Sequence, residues 1–81
     1  MISDAERQRL HIGYKQSLRA LSEGKAEKLL IAADADEKMT AALTKAANEH
    51  GISVTDVSTM QELGEVCGID VGSSCAVILK N

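Results

Sequence analysis

The stretch Gly13-Tyr14-Lys15-Gln16-Ser17-Leu18-Arg19 combines a glycine turn, two cations four residues apart and a side-chain amide. If a helix starts near Lys15, its first-turn N–H groups lack intrahelical acceptors and its dipole end is positive, which makes a ready anion site. Lys15 and Arg19 then share a face, with Gln16 beside them. A Gln amide both donates and accepts, so it can read a base edge bidentately, while Lys and Arg suit phosphate and guanine. The same spacing also fits a solvated helix face after a glycine turn.

A second segment, Leu63-Gly64-Glu65-Val66-Cys67-Gly68-Ile69-Asp70-Val71-Gly72-Ser73-Ser74, sets the aliphatic residues Ile69 and Val71 among glycines. Exposed aliphatic side chains in such a loop suit packing against an unstacked base or a protein partner. The alternative is a helix stop at Gly68 followed by a bend that tucks them inward.

Other chemistry finds little support. Ser73 and Ser74 have no His or Lys at a spacing that activates a nucleophile, and nothing near Cys67 lowers a thiol pKa. Cys67 and Cys75 are too few for a disulfide scaffold and too far apart for CxxC chemistry, so both are expected reduced and at least partly buried. His11 and His50 form no HxxxH or HExxH pair. Asp34 and Asp36 read as helix caps rather than ligands of a hard cation. The expectation is a non-enzyme with no metal and no cofactor.

The elements that must position these segments follow from capping and periodicity. Ser3 to Leu10 reads as a short helix with Ser3 or Asp4 as its cap, and Gly13 interrupts the chain. Lys15 to Glu23 reads as a second helix, with Leu18 and Leu21 as an i, i+3 pair and Gly24 as the stop. Leu29 to Ala33 is a buried strand. Asp34-Ala35-Asp36-Glu37 supplies caps and first-turn acids for a helix whose apolar residues Met39, Ala42, Leu43, Ala46 and Ala47 share a face, ending at Gly51. Ile52, Val54 and Val57 mark a strand. Ser58 with Gln61 reads as a capping box for a helix through Leu63 and Val66 toward Gly68, and Cys75 to Leu79 is the last strand. This alternation predicts an α/β protein with helices on both faces of a small sheet.

Composition narrows the functions. At 81 residues the chain accommodates one domain, 1–81, with one modest core. It has no Phe and no Trp, and Tyr14 is its single aromatic residue, which excludes an array of base-stacking rings. No apolar run is long enough to span a membrane, and the start of the chain is polar from Ser3 onward, so the expected compartment is the cytoplasm. A net charge of −3 argues against a polyanion partner, but it is unevenly spread. Residues 1–28 carry six Lys/Arg against four acids, a balance of +2, whereas residues 29–81 carry three Lys against eight acids, −5. That asymmetry suits an oriented electrostatic face as well as a randomly solvated surface.

Taken in this order, the segments Gly13 to Leu21, Ile31-Ala32-Ala33-Asp34-Ala35-Asp36 and Leu63 to Gly72 resemble the kink-turn RNA-binding ribosomal protein family (the "L-seven-Ae" superfamily), above all its small bacterial members. The resemblance runs from about Leu10 to Leu79. It implies a three-layer α-β-α sandwich around a four-stranded mixed sheet. It also implies binding to kink-turns, RNA duplexes sharply bent at a short bulge flanked by sheared G·A pairs.

In that family a glycine-led turn and helix start enter the RNA at the G·A pairs; the matching positions here are Gly13, Lys15 and Gln16, with Arg19 as the basic residue one turn on. The loop with Ile69, Asp70 and Val71 matches the one that covers the bulged nucleotides. Implied partners are ribosomal RNA or a messenger-RNA leader, and the ribosome; neither DNA nor a membrane is expected. Three positions depart from the family pattern: Tyr14, where a small residue is usual and where a ring could stack on RNA or pack beside the helix; Glu65, an acid next to the loop; and Ala33, which lacks a charged side chain. The competing expectation is a protein-interaction module of the same fold, using the acidic residues 29–81 and the Ile69–Val71 loop.

Overall fold

Two strands with continuous apolar runs take the centre of the sheet, and the two with polar alternation take its edges, because only the central pair is covered on both faces. The computed structural model describes residues 2–80. Its elements are α1 (Asp4–Arg7), β1 (Leu10–Ile12), α2 (Tyr14–Ser22), β2 (Ala26–Ala32), α3 (Glu37–Glu49), β3 (Ser53–Val57), α4 (Met60–Cys67) and β4 (Cys75–Leu79). The four-stranded sheet runs β1-β4-β2-β3. β4 pairs antiparallel with β1 and with β2, and β2 pairs parallel with β3, so the sheet is mixed as expected.

Alternating side chains of β2 feed two cores. Leu29 and Ile31 join Cys75 and Val77 of β4 beneath Ala20 and Leu21 of α2 and Leu43 and Ala47 of α3. Leu30 and Ala32 join Ala76 and Val57 beneath Leu63 and Cys67 of α4. The result is three layers, with α2 and α3 on one face and α4 on the other. Small residues such as Ala20, Ala47 and Ala76 stand where large aromatics are missing and let the helices lie close to the sheet.

Most element types match their sequence signals, and the departures have local causes. The first helix stops at Arg7, held by a Ser3–Glu6 capping box, and Leu10 belongs to β1 instead. Leu10, His11 and Ile12 pair with Ile78, Val77 and Ala76, so a three-residue alternation became a strand only because β4 offered an edge. β2 begins at Ala26 rather than Leu29, since Ala26 pairs with Leu79 across an irregularity in the ladder. The Ser58–Gln61 box is displaced by one residue: Thr59 is the cap, accepting the Glu62 N–H at 3.0 Å. Asp34 does not cap α3; its carboxylate accepts the Met60 N–H at 2.8 Å and so caps α4 from 26 residues away. Cys67 and Cys75 are both free and buried.

Candidate nucleic-acid interface

Strand directions gather the chemistry at one end of the sheet. With β1 and β2 both antiparallel to β4 and β3 parallel to β2, the C-terminal ends of β1, β2 and β3 lie beside the N-terminal end of β4. The starts of α2, α3 and α4, and the loop 68–74 that leads into β4, follow from those ends within a few residues.

A single carbonyl ties two of them together. The Cys75 oxygen accepts the Gly13 N–H at 3.1 Å and the Ser73 hydroxyl at 2.8 Å, so the turn into α2 and the foot of the loop share one acceptor. Ser74 in turn accepts the Ala32 N–H at 3.0 Å, which fastens the loop to the end of β2.

The start of α2 is built to stay open. Gly13 has φ of +102°, a backbone that L side chains rarely adopt, and it leaves the helix with no side-chain cap and no acid in its first turn. The first backbone bond of α2 runs from the Ser17 N–H to the Gly13 oxygen at 3.0 Å, so the amides ahead of Ser17 have no intrahelical acceptor. Lys15 and Gln16 are exposed directly beside them. Tyr14 is half-buried, its ring packed against the core under α2 and α3.

The loop is pinned along α4 and presents one aliphatic side chain outward. A Cβ at Gly64 would collide with the Val71 carbonyl oxygen, and one at Gly72 would sit 3.3 Å from the Met60 carbonyl, so both glycines permit the loop to lie on the helix. The Ser73 N–H donates to the Met60 oxygen at 3.0 Å, closing the return. Of the two aliphatic residues, Ile69 packs inward against the α4-side core, whereas Val71 is 70% exposed. Asp70 between them is exposed. The inward and outward readings of this loop thus each hold for one residue.

The model of the ribosomal protein L7Ae/L30e/S12e/Gadd45 family matches residues 3–81. The chain belongs to that family. An RNA-binding protein of Geobacillus kaustophilus is 46% identical over 69 residues, which cover 85% of this chain and 84% of its own. The RNA-binding protein YbxF of Geobacillus stearothermophilus is 45% identical over the same share of each. Among solved structures, the 15.5kD RNA binding protein of Giardia lamblia superposes with a TM-score of 0.79 at 29% identity, covering 91% of this chain and 62% of that one.

Within this L7Ae-family chain, the second cation singled out by sequence has a different setting. Arg19 is exposed one turn beyond Lys15, and its Nε lies 3.5 Å from a Glu23 carboxylate oxygen, with which it forms an ion pair. Lys25 approaches the other Glu23 oxygen at 3.4 Å. Lys25 first, against some burial and with help from Arg19, holds the Glu23 carboxyl below its ordinary range. His11 and Lys25 line a groove with Gln16 and Arg19, and sequence reasoning missed both. For His11 the one signal was the Leu10-His11-Ile12 alternation, and three residues are too few to establish a period of two; Lys25 had none. Burial pushes the Cys67 thiol up, the direction opposite to that of an activated nucleophile.

Proposed function

We propose that this protein binds structured RNA at a sharp bend, a kink-turn with sheared G·A pairs, and stabilises the bent form. The observation that carries the reading is the uncapped, cationic start of α2, joined through the Cys75 carbonyl to the foot of the Val71 loop. Relatives named as RNA-binding proteins support the polymer class. Gly13 keeps the turn low so that a nucleic-acid backbone can come close. Lys15 and Gln16 read guanine edges, which an ordinary A-form major groove hides and a bend exposes. Arg19 takes a phosphate, Val71 covers an unstacked nucleotide with Ile69 packed beneath it, and Asp70 lies at the same contact. Tyr14 supports the turn from the core side.

Binding the bent conformer more tightly than the straight one shifts the RNA toward the bend without any chemistry. Ribosomal RNA or a messenger-RNA leader is the fitting source, and the cytoplasm the fitting compartment. A mobility titration with a generic kink-turn, beside the same duplex with its G·A pairs disrupted, tests this directly. The kink-turn should bind preferentially, and log K should fall with log salt at a slope of about −2 to −3 for roughly three phosphate contacts. Equal binding to the two RNAs overturns the specificity. A protein partner retained after nuclease treatment, with neither RNA bound, would favour an interaction module instead.

A further inference from the structure

Between the edge strand β1 and α2 lies a groove of about 260 Å³ lined by His11, Gln16, Arg19, Glu23 and Lys25, with Leu79 and Ala20 at its base. Leu10 and Ile12 of β1 pack toward α4, so the alternation of the strand turns His11 toward α2. On α2, Gln16, Arg19 and Glu23 follow one another at helical spacing, about 10 Å from first to last at 1.5 Å per residue. Lys25 is held firmly from its backbone: its N–H donates to the Ala20 oxygen at 2.9 Å and its own oxygen accepts the Lys80 N–H at 2.8 Å. The groove therefore starts at a side chain already placed at the helix start, Gln16, and ends at a cation whose backbone is held in place.

The charges inside it are arranged around one internal carboxylate. Arg19 and Lys25 grip opposite oxygens of Glu23, at 3.5 and 3.4 Å. Both contacts are long, and the Arg19 and Lys25 side chains are 76% and 68% exposed, so water screens them and each contributes little to stability. A phosphodiester presents two charged non-bridging oxygens that a guanidinium fork and an ammonium can share at full hydrogen-bond distance, whereas the half-exposed Glu23 carboxylate meets each cation only at the long distances above. His11 adds a ring nitrogen able to donate or accept at the wall.

We propose that this groove binds a backbone phosphate of the RNA stem next to the bend, with Arg19 and Lys25 releasing the Glu23 carboxylate to take it. The inference rests on the RNA-binding reading above, and it assigns roles to Lys25, Glu23 and His11 that the start of α2 does not require. Glu23 acts as a built-in competitor that occupies the two cations until RNA arrives.

The test measures affinity across a salt series for the wild type, Lys25→Gln and Glu23→Gln, on the kink-turn and on the G·A-disrupted duplex. Lys25→Gln should weaken binding about tenfold and make the salt slope shallower by about one, on both RNAs, since a phosphate contact carries no sequence information. Glu23→Gln should tighten binding about threefold, as removal of a weak surface competitor should. Thermal melts of both variants should match the wild type, because both side chains lie at the surface. A wild type that prefers the kink-turn, with both variants keeping its affinity and slope, overturns the groove alone. A wild type without that preference but with the Lys25→Gln slope change supports the groove and overturns the kink-turn reading. Binding to neither RNA overturns both.

Discussion

Three helices begin at the same end of the sheet, and one of them is finished differently from the other two. α3 starts at Asp36, whose carboxylate accepts the N–H groups of Lys38 and Met39 at 2.8 and 3.4 Å, followed by an acid at Glu37. α4 starts at Thr59, which accepts the Glu62 N–H, while Asp34 takes the Met60 N–H. α2 starts at a glycine with neither cap nor acid, and with Lys15 in its first turn. Side chains of the protein itself, two carboxylates and a hydroxyl, complete α3 and α4; the start of α2 has no such side-chain partner. A chain that placed the same acids on all three would gain stability at α2 and lose the open amides on which the proposed RNA contact rests. The contrast teaches that an unmet hydrogen-bonding potential is informative when neighbouring, equivalent positions are met.

The comparison can be strained from both sides, beginning where the effect is largest. Gly64→Val forces a side chain into the Val71 carbonyl, and should cost about 3 kcal/mol in urea unfolding as the loop lifts from α4. A loss under ~0.5 kcal/mol would mean the loop is not seated on that helix. Lys15→Glu should divide function from stability. RNA binding should fall by about 2 kcal/mol, roughly thirtyfold, while the added first-turn acid raises folding stability by about 0.5 kcal/mol. A variant that lost both together would remove the idea that α2 trades its cap for a ligand.

Asp36→Ala should cost about 1 kcal/mol of stability, because it leaves two α3 amides without their acceptor. Thermal denaturation should show the loss with RNA affinity per folded molecule unchanged. The smallest effect concerns α1, where the Ser3 N–H, the first cause of its shift, and Lys28 hold the Glu6 carboxyl down at about 2, from an ordinary 4.5. Because the folded pKa lies below the unfolded one, this contribution is complete above about pH 4.5 and drains away as pH falls toward 2. Glu6→Gln should flatten that acid limb of the stability profile; an unchanged limb would show that the contact contributes nothing.

Much of this arrangement was legible before any coordinate. Gly24, Gly51 and Gly68 each end a helix in the left-handed conformation expected of a stop, since a glycine after a periodic run is a local signal with a local cause. The Cys75–Leu79 strand matched residue for residue because it is apolar on both faces. Local reasoning failed wherever the deciding partner was distant. β1 needed the edge of β4, the extra residues of β2 needed Leu79, and the cap at Met60 came from Asp34 rather than from the residues just before it.

The candidate site divides along the same line. Residue types and spacing alone named Gly13, Lys15, Gln16, Arg19 and the Ile69–Val71 loop as chemically capable, because charge, amide geometry and backbone freedom belong to the residues themselves. Which of them meet was decided by strand order. One antiparallel strand, β4, brings the turn and the loop to a common carbonyl at Cys75 and sets His11 and Lys25 across a groove from Arg19. Periodicity describes a single element, whereas adjacency depends on how elements pack, and that packing is settled by contacts between residues tens of positions apart.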